Sequence, residues 1–377
     1  MSTTYTFLNC PRRKFMNRIS IRLTRAIQGW GILLFAVLLN ACAGRQPAPD
    51  LIKNADDPLI NQIYAAIDIA RISDMELFDK MAASDVIYLG ENHDNTHHHA
   101  VQMSTIKALV ERGLRPAIGF EFFSREQTSR LMQFQQSPDK FHEQGAKHSA
   151  EQLLRDQLGW GDSRDDDWAH LFPLLKYARE HKLPVFGADL NSGLRKQLAR
   201  YGYDGLNGVE KLLIPATDFK DDTYREYMFQ SFTVAHCGWR DDGYLEKLYQ
   251  TWLLRNEAMA QSIVAMHTAT PDQPVVIILG GAHTEYSMAV FERVASKNSE
   301  LKQLNLRLTS VAGSPRPARD YFLPLQIDGK SYGPPYQYVW FTARMPERED
   351  PCKAFLKHKK ESAKHGQKKE AGDKPAE

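Results

Sequence analysis

Two histidines, two glutamates and a tyrosine stand at matching places in this chain of 377 residues, each just past a short apolar run. Asp85–Gly90 is followed by Glu91, Asn92 and His93, then by His97, His98 and His99. Pro116–Phe120 is followed by Glu121, and Leu183–Gly187 by Asp189 and Asn191. Pro274–Leu279 is followed by Gly280-Gly281-Ala282-His283, then Glu285 and Tyr286. Imidazoles and carboxylates brought together move protons or hold a cation. Several acids in one pocket cost desolvation unless they pair or bind a cation. The glycines would let backbone approach a ligand closely. Each residue alone reads equally as a helix cap or scaffold group. Four such positions at equivalent ends point to a site. His97–His99 begin a helix, where adjacent side chains diverge, so one of the three is expected in the site.

The elements that must carry these residues follow from the apolar runs themselves. Continuous runs of this length, separated by helical stretches, read as buried strands of a parallel sheet. The spacing of Val101, Ile106, Leu109 and Val110 predicts a helix from His98 to Arg112. Two further strands are expected at Leu306–Val311 and Tyr338–Thr342. Helical insertions are expected near 125–180 and 205–266. The fold class is therefore α/β, a parallel sheet flanked by helices with a smaller helical subdomain. In such sheets ligands bind beyond the carboxyl ends of the strands, which is where the polar residues fall.

The amino terminus has a separate reading. Arg18, Arg22 and Arg25 precede an apolar run from Trp30 to Leu39, too short to span a bilayer. Leu39-Asn40-Ala41-Cys42 resembles the lipobox of bacterial lipoproteins, which implies cleavage before Cys42 and acyl chains on that cysteine. More than one chain makes such an anchor stable, at about 0.8 kcal/mol per buried CH₂. Ala43, rather than Asp, implies by the same resemblance an outer-membrane anchor facing the periplasm. The chain divides into a signal peptide over 1–41, a tether over 42–57, an α/β domain over 58–352 and a disordered basic tail over 353–377.

Residues 1–41 carry six of the 48 Lys+Arg and none of the 46 Asp+Glu, leaving 42 against 46. That balance excludes a nucleic-acid surface. Cys237 and Cys352 remain for a bridge in an oxidising compartment, where closing a loop of about 100 residues is worth up to about 4.7 kcal/mol. Whether their backbones approach is left open by the sequence.

Gly90-Glu-Asn-His-Asp94 with His97-His98 and Gln102 resembles the opening motif of the ChaN-like haem-binding lipoproteins. The resemblance continues through Gly119-Phe-Glu-Phe122, Gln127, Trp160, Trp168, Gly187-Ala-Asp-Leu-Asn191 and His236-Cys-Gly238. It ends with Arg255, Met259-Ala260, Gly280-Gly-Ala-His283 and Tyr338-Val-Trp340. It implies haem at a dimer interface, held by a tyrosine with histidine help from the neighbouring subunit. Tyrosinate favours ferric haem, which suits holding it. Tyr286 is assigned that role because it lies at the mouth, with His97, His98 and Arg125 for the propionates and Phe120, Phe122, Phe123 and Trp160 as an apolar wall.

The implied partners are haem, a lipid bilayer through acylated Cys42, a second copy, and a haem receptor or transporter. Where the family more often has glycine and proline, this chain has Tyr286-Ser-Met-Ala-Val290, so a different local conformation is expected.

A second resemblance, to erythromycin esterases and the TraB and Tiki proteins, rests on Gly90-x-x-His93, Gly280-x-x-His283 and Glu121. It implies a hydrolase in which His93, Glu121 and His283 hold Zn²⁺ or Mn²⁺ and Glu91 is the general base, or a metal-free His–Glu acid–base pair. No serine nucleophile elbow and no His-Glu-x-x-His helix accompany it. Haem binding is the first reading, hydrolysis the second, and a structural lipoprotein with braced strand ends the third.

Overall fold

The computed structural model describes residues 56–136, 149–161, 165–214, 217, 221–327, 329–345, 350, 352, 353 and 355. The expected signal peptide, Cys42 with most of its tether, and nearly all of the basic tail lie outside the described residues.

An eight-stranded sheet organises the chain. Two short strands, β1 (Ile63–Ala65) and β2 (Ala70–Ile72), form an antiparallel edge. The rest of the sheet is parallel: β3 (Val86–Glu91), β4 (Ala117–Ser124), β5 (Val185–Asp189), β6 (Val275–Gly280), β7 (Gln303–Ser310) and, after a separate hairpin of β8 (Gln326–Ile327) and β9 (Lys330–Ser331), β10 (Tyr338–Thr342). Their order is β2-β1-β10-β7-β3-β6-β4-β5. Three of these strands begin immediately after Pro116, Pro184 and Pro274. Proline cannot donate to a ladder, but its carbonyl still accepts. Pro274 takes the Ala117 amide at 2.9 Å and Pro184 the Ile118 amide at 2.8 Å.

Alternate strand residues face opposite layers, as the pleat requires. Ile87, Leu89, Ile118 and Phe120 pack under α1 (Asp74–Ala82), α2 (Thr96–Glu111), α3 (Thr128–Gln136), α4 (Ala150–Gln157) and α5 (Asp165–Glu180). Val86, Tyr88, Val275 and Ile277 pack against the long helix α9 (Asp242–Ala269) and α10 (Val290–Lys297). The described helices of the interval 125–180 therefore belong to the main core. From α6 (Ser192–Tyr201) onward the chain has clusters of its own, in which α6 and α8 (Asp222–Ala235) pack against α9, while α7 (Gly208–Leu213) buries none of its residues.

A disulfide joins Cys237, just after α8, to Cys352, with Cα atoms 5.4 Å apart. Among the described residues no helix is long and apolar enough to cross a membrane.

Chain order creates the place for a site. The connection after β3 leads to β4, whereas that after β6 leads back across β3 to β7, so the crossovers diverge between β3 and β6. The crevice beyond the carboxyl ends at such a switch point is where open α/β sheets bind ligands.

Candidate functional site at the carboxyl ends of the strands

Glu121 lies where the pairing of β4 with β5 slips out of register, between Phe120 and Ser124. Bulges of this kind re-aim side chains. Gly187 opposite is required there, since a Cβ would run into the Ser124 carbonyl. Both oxygens of Glu121 are occupied. Oε1 accepts from Arg255 at 2.6 Å and lies 3.2 Å from His283 Nε2, while Oε2 accepts from the Gly280 amide at 2.6 Å. Arg255, on α9, reaches Asp189 as well at 2.7 Å, and Arg195 bonds the same Asp189 oxygen at 2.9 Å. His283 Nδ1 lies 2.6 Å from Asn256 Oδ1, and its ring stacks on Trp252 at 4.1 Å.

Burial alone would raise the Glu121 carboxyl. His283, Arg255 and His93 outweigh it and hold the group well below its usual range. Burial pulls His283 below the ordinary value against the opposing pull of Glu121. The result is a saturated ionic node, since removing one partner would strand a buried charge.

His93 stands at its outer side. Its Nδ1–H donates to Glu91 at 2.9 Å, and Nε2 lies 3.8 Å from Glu121. The imidazole side chain is 45% exposed, whereas Glu91 is fully enclosed. Burial lowers the affinity of His93 for a proton, but the bond to Glu91 and the charge of Glu121 more than reverse this, so its pKa is raised. Glu91 also accepts from Gln102 at 2.7 Å and lies 3.3 Å from His99 Nε2. Burial would raise its pKa, but His93 and His99 bring it down to about 2. Behind it the His99 ring stacks on His170 at 3.3 Å.

Beyond β6 the backbone turns sharply. Tyr286, Ser287 and Ala289 have φ of 55°, 58° and 55°, the left-handed region that glycine occupies without cost. At Tyr286, Ser287 and Ala289 this left-handed backbone is held without glycine. It aims Tyr286 at a depression of about 290 Å³, shared with Asn92, Glu285, Arg307 and Tyr336. Glu285 accepts from Tyr227 at 3.3 Å, and burial raises its carboxyl above the usual range. Burial, then Glu285, pushes the Tyr286 phenol up to about 12. Arg307 donates to the Glu91 carbonyl at 2.5 Å and to Asn92, and lies over the Tyr336 ring at 5.7 Å.

Several sequence expectations change here. Glu91, His93, Glu121 and His283 do converge. Glu91, however, is enclosed and already accepts from His93 and Gln102, so it orients His93 rather than acting as a general base. His93, Glu121 and His283 are not arranged around a cation: the Glu121 oxygens face Arg255 and the Gly280 amide. Among the described residues no group of three or more His, Cys, Asp or Glu is set to hold a metal ion. The Zn²⁺ or Mn²⁺ reading fails on that arrangement.

His98 is fully buried and its Nδ1 accepts the Asn92 amide at 3.0 Å, so it meets no propionate. His97 is exposed at the start of α2. Arg125 is turned away, bonding Gln261 and the Leu213 carbonyl. Phe120, Phe123 and Trp160 are core; Phe122 alone flanks His93, edge-on at 4.9 Å. Gly280 and Gly281 make room for this chain's own His93 and Arg307 rather than for a ligand.

Arg255, Asn256 and Arg307 join the site without a role expected from the sequence. Their signal was present: Arg-Asn-Glu interrupts an apolar stretch of α9, and Asn305 and Arg307 interrupt a central strand.

The family model described as haem-binding uptake, Tiki superfamily, ChaN matches residues 77–294. The chain belongs to that family. Among solved structures, ChaN of Campylobacter jejuni, described with cofacial haem bound, is similar with 16% identity over 74% of this chain and 95% of that one, TM-score 0.55. The likeness shows a shared fold. An erythromycin esterase mutant, EreC in its open conformation, is similar with 15% identity over 76% and 85% of the two chains, TM-score 0.40. A Bacillus cereus protein is similar with 10% identity over 75% and 94%, TM-score 0.43. No curated protein matches. The ChaN-family chain thus carries its polar residues at the switch point of an α/β sheet.

Proposed function

We propose that this ChaN-family protein holds ferric haem on the open wall beside β6, with Tyr286 as iron ligand, and handles haem or iron in the cell envelope. One observation carries the reading: a half-buried phenol set on a left-handed turn over a depression with a neighbouring guanidinium. The donor set fits the group. A phenolate is a hard anionic ligand for ferric iron, Tyr336 offers an aromatic flank, and Arg307 offers positive charge towards a propionate.

Small-molecule sites that enclose their ligands span about 300–1,000 Å³. A depression at the lower end of that range leaves much of a porphyrin uncovered. A second copy of this chain, bringing its own haem face to face, is the cover that accords with the cofacial arrangement described for the Campylobacter protein. Tyr286 would hold the haem and Arg307 would face a propionate, the haem supplying a ferric centre; the protein holds the phenol, its turn and the cation in place. Acylated Cys42 would tether the protein to the outer membrane, facing the periplasm, within reach of a haem receptor or transporter.

The test is a haemin titration of protein beginning at Ala43, followed through the Soret and charge-transfer bands. Saturable binding with tyrosinate-type bands is expected; loose, unsaturable association contradicts the reading. Radiolabelled palmitate incorporated in cells and lost in Cys42→Ala tests the anchor.

A second reading rests on His93, a half-exposed imidazole oriented by an enclosed carboxylate and backed by Glu121. That is the geometry of a metal-free general base for ester or peptide hydrolysis. Turnover of model esters that vanishes in His93→Ala would put this reading first.

A further inference from the structure

A second cavity lies at the other end of the sheet. It measures about 850 Å³ and opens where the edge strand β5 begins, away from every residue of the ionic node and the tyrosine wall. Its floor is apolar, made by Met132 of α3, Leu183 and Val185 at the start of the strand, and Met266 of α9. The two thioethers are flexible side chains that adapt to the shape of a guest.

Its rim is cationic. Lys176 and Arg179 approach from the end of α5 and Lys182 from the turn that follows, against the single acid Glu180, 3.9 Å from Lys176. Arg179 lies over the Phe134 ring at 5.0 Å, which fixes its place at the mouth. Gln135 donates its amide to the Leu175 carbonyl at 3.2 Å, and its Oε1 is buried with no partner. A buried acceptor left open in this way calls for a donor from outside the protein.

An apolar cavity of this size with a few convergent polar groups is the ordinary form of a small-molecule site. The chemistry of the lining narrows the guest. It has no His, Tyr or Cys, and its one carboxylate, Glu180, faces Lys176 at the rim, so the lining offers the iron of a haem no imidazole, phenolate or thiolate. The excess of rim cations favours an anionic head, and the floor favours a flexible hydrocarbon.

We propose that this cavity binds a single-chain amphiphile of the fatty-acid class. The acyl chain lies against Met132, Leu183, Val185 and Met266, and the carboxylate meets Lys176 and Lys182. The proton or water that accompanies the head satisfies Gln135 Oε1. The site is independent of Tyr286 and of haem.

The experiment uses the purified full chain and a fluorescent anthroyloxy-palmitate probe, displaced by unlabelled palmitate below its micelle concentration. One saturable site per chain is expected. Lys176→Glu combined with Lys182→Glu weakens it about tenfold or more, with an unchanged melting curve because both side chains lie exposed at the rim. Met266→Trp fills the floor and removes the site. Absence of saturable binding, or equal affinity in the double lysine variant, overturns the proposal. Displacement of the probe by one equivalent of haemin also overturns it, by assigning the cavity to a porphyrin.

Discussion

The ionic node around Glu121 and the wall around Tyr286 are only a few residues apart in the β6 connection, yet they are built on opposite plans. In the node, both Glu121 oxygens and both His283 nitrogens face protein groups, and Asp189 holds two arginines. In the wall, a phenol stands half-buried over an open depression on a backbone that only glycine adopts freely. A saturated network fixes geometry and has little left to offer a ligand. A strained, partly open donor has a side still to be filled, and strain of this kind collects at functional sites. The difference assigns support to the node and binding to the wall.

Substitutions should separate the two. Arg255→Leu takes the only arginine from buried Glu121 and one of the two from Asp189, and should cost about 3–5 kcal/mol in urea unfolding. A loss under about 1 kcal/mol would mean that the node is not the brace described. Cys237→Ser, which frees Cys352 from α8, should lose about 2–4 kcal/mol by the same measurement, without altering ligand binding at the wall.

Acid should act on the node side. Glu91, held at about 2, contributes stability that is present above its ordinary value of 4.5 and is lost as the pH falls towards 2. His98, lowered to about 3 by burial and then Arg307, and His170, lowered to about 4 by burial and then His99, stay neutral in the fold. The unfolded chain takes up those protons below about 6.5, so stability should decline steadily from there downward. His98→Gln should flatten the upper part of that decline, and an unchanged slope would remove His98 from the account. His93 runs the other way: its contribution is lost as the pH rises through its elevated value. The smallest effect belongs to the wall. Ser287→Gly relieves a left-handed φ at an exposed position and should add about 1 kcal/mol, measured as a higher melting temperature.

The parallel strands were legible because their apolar runs are continuous and bounded by Pro and Gly. β3, β4, β5 and β6 fall within a few residues of the runs beginning at Asp85, Pro116, Leu183 and Pro274. β1 and β2 were not, since strands of three residues are too short to display a period and depend on the neighbouring β10. The convergence of Glu91, His93, Glu121 and His283 was readable from their common place after strands. Their roles were not, because these depend on Arg255 and Arg307, distant in sequence and supplied by a helix and a strand whose patterns otherwise read as core. The Cys237–Cys352 pairing likewise needed the backbone positions.

The most direct test compares Tyr286→Phe with His93→Ala in parallel haemin titrations, each checked for an unchanged melting temperature. The account predicts that Tyr286→Phe loses the phenolate-to-iron charge-transfer band and saturable binding, while His93→Ala keeps both. Wild-type spectra and affinity in Tyr286→Phe, or loss of binding in His93→Ala alone, would contradict it.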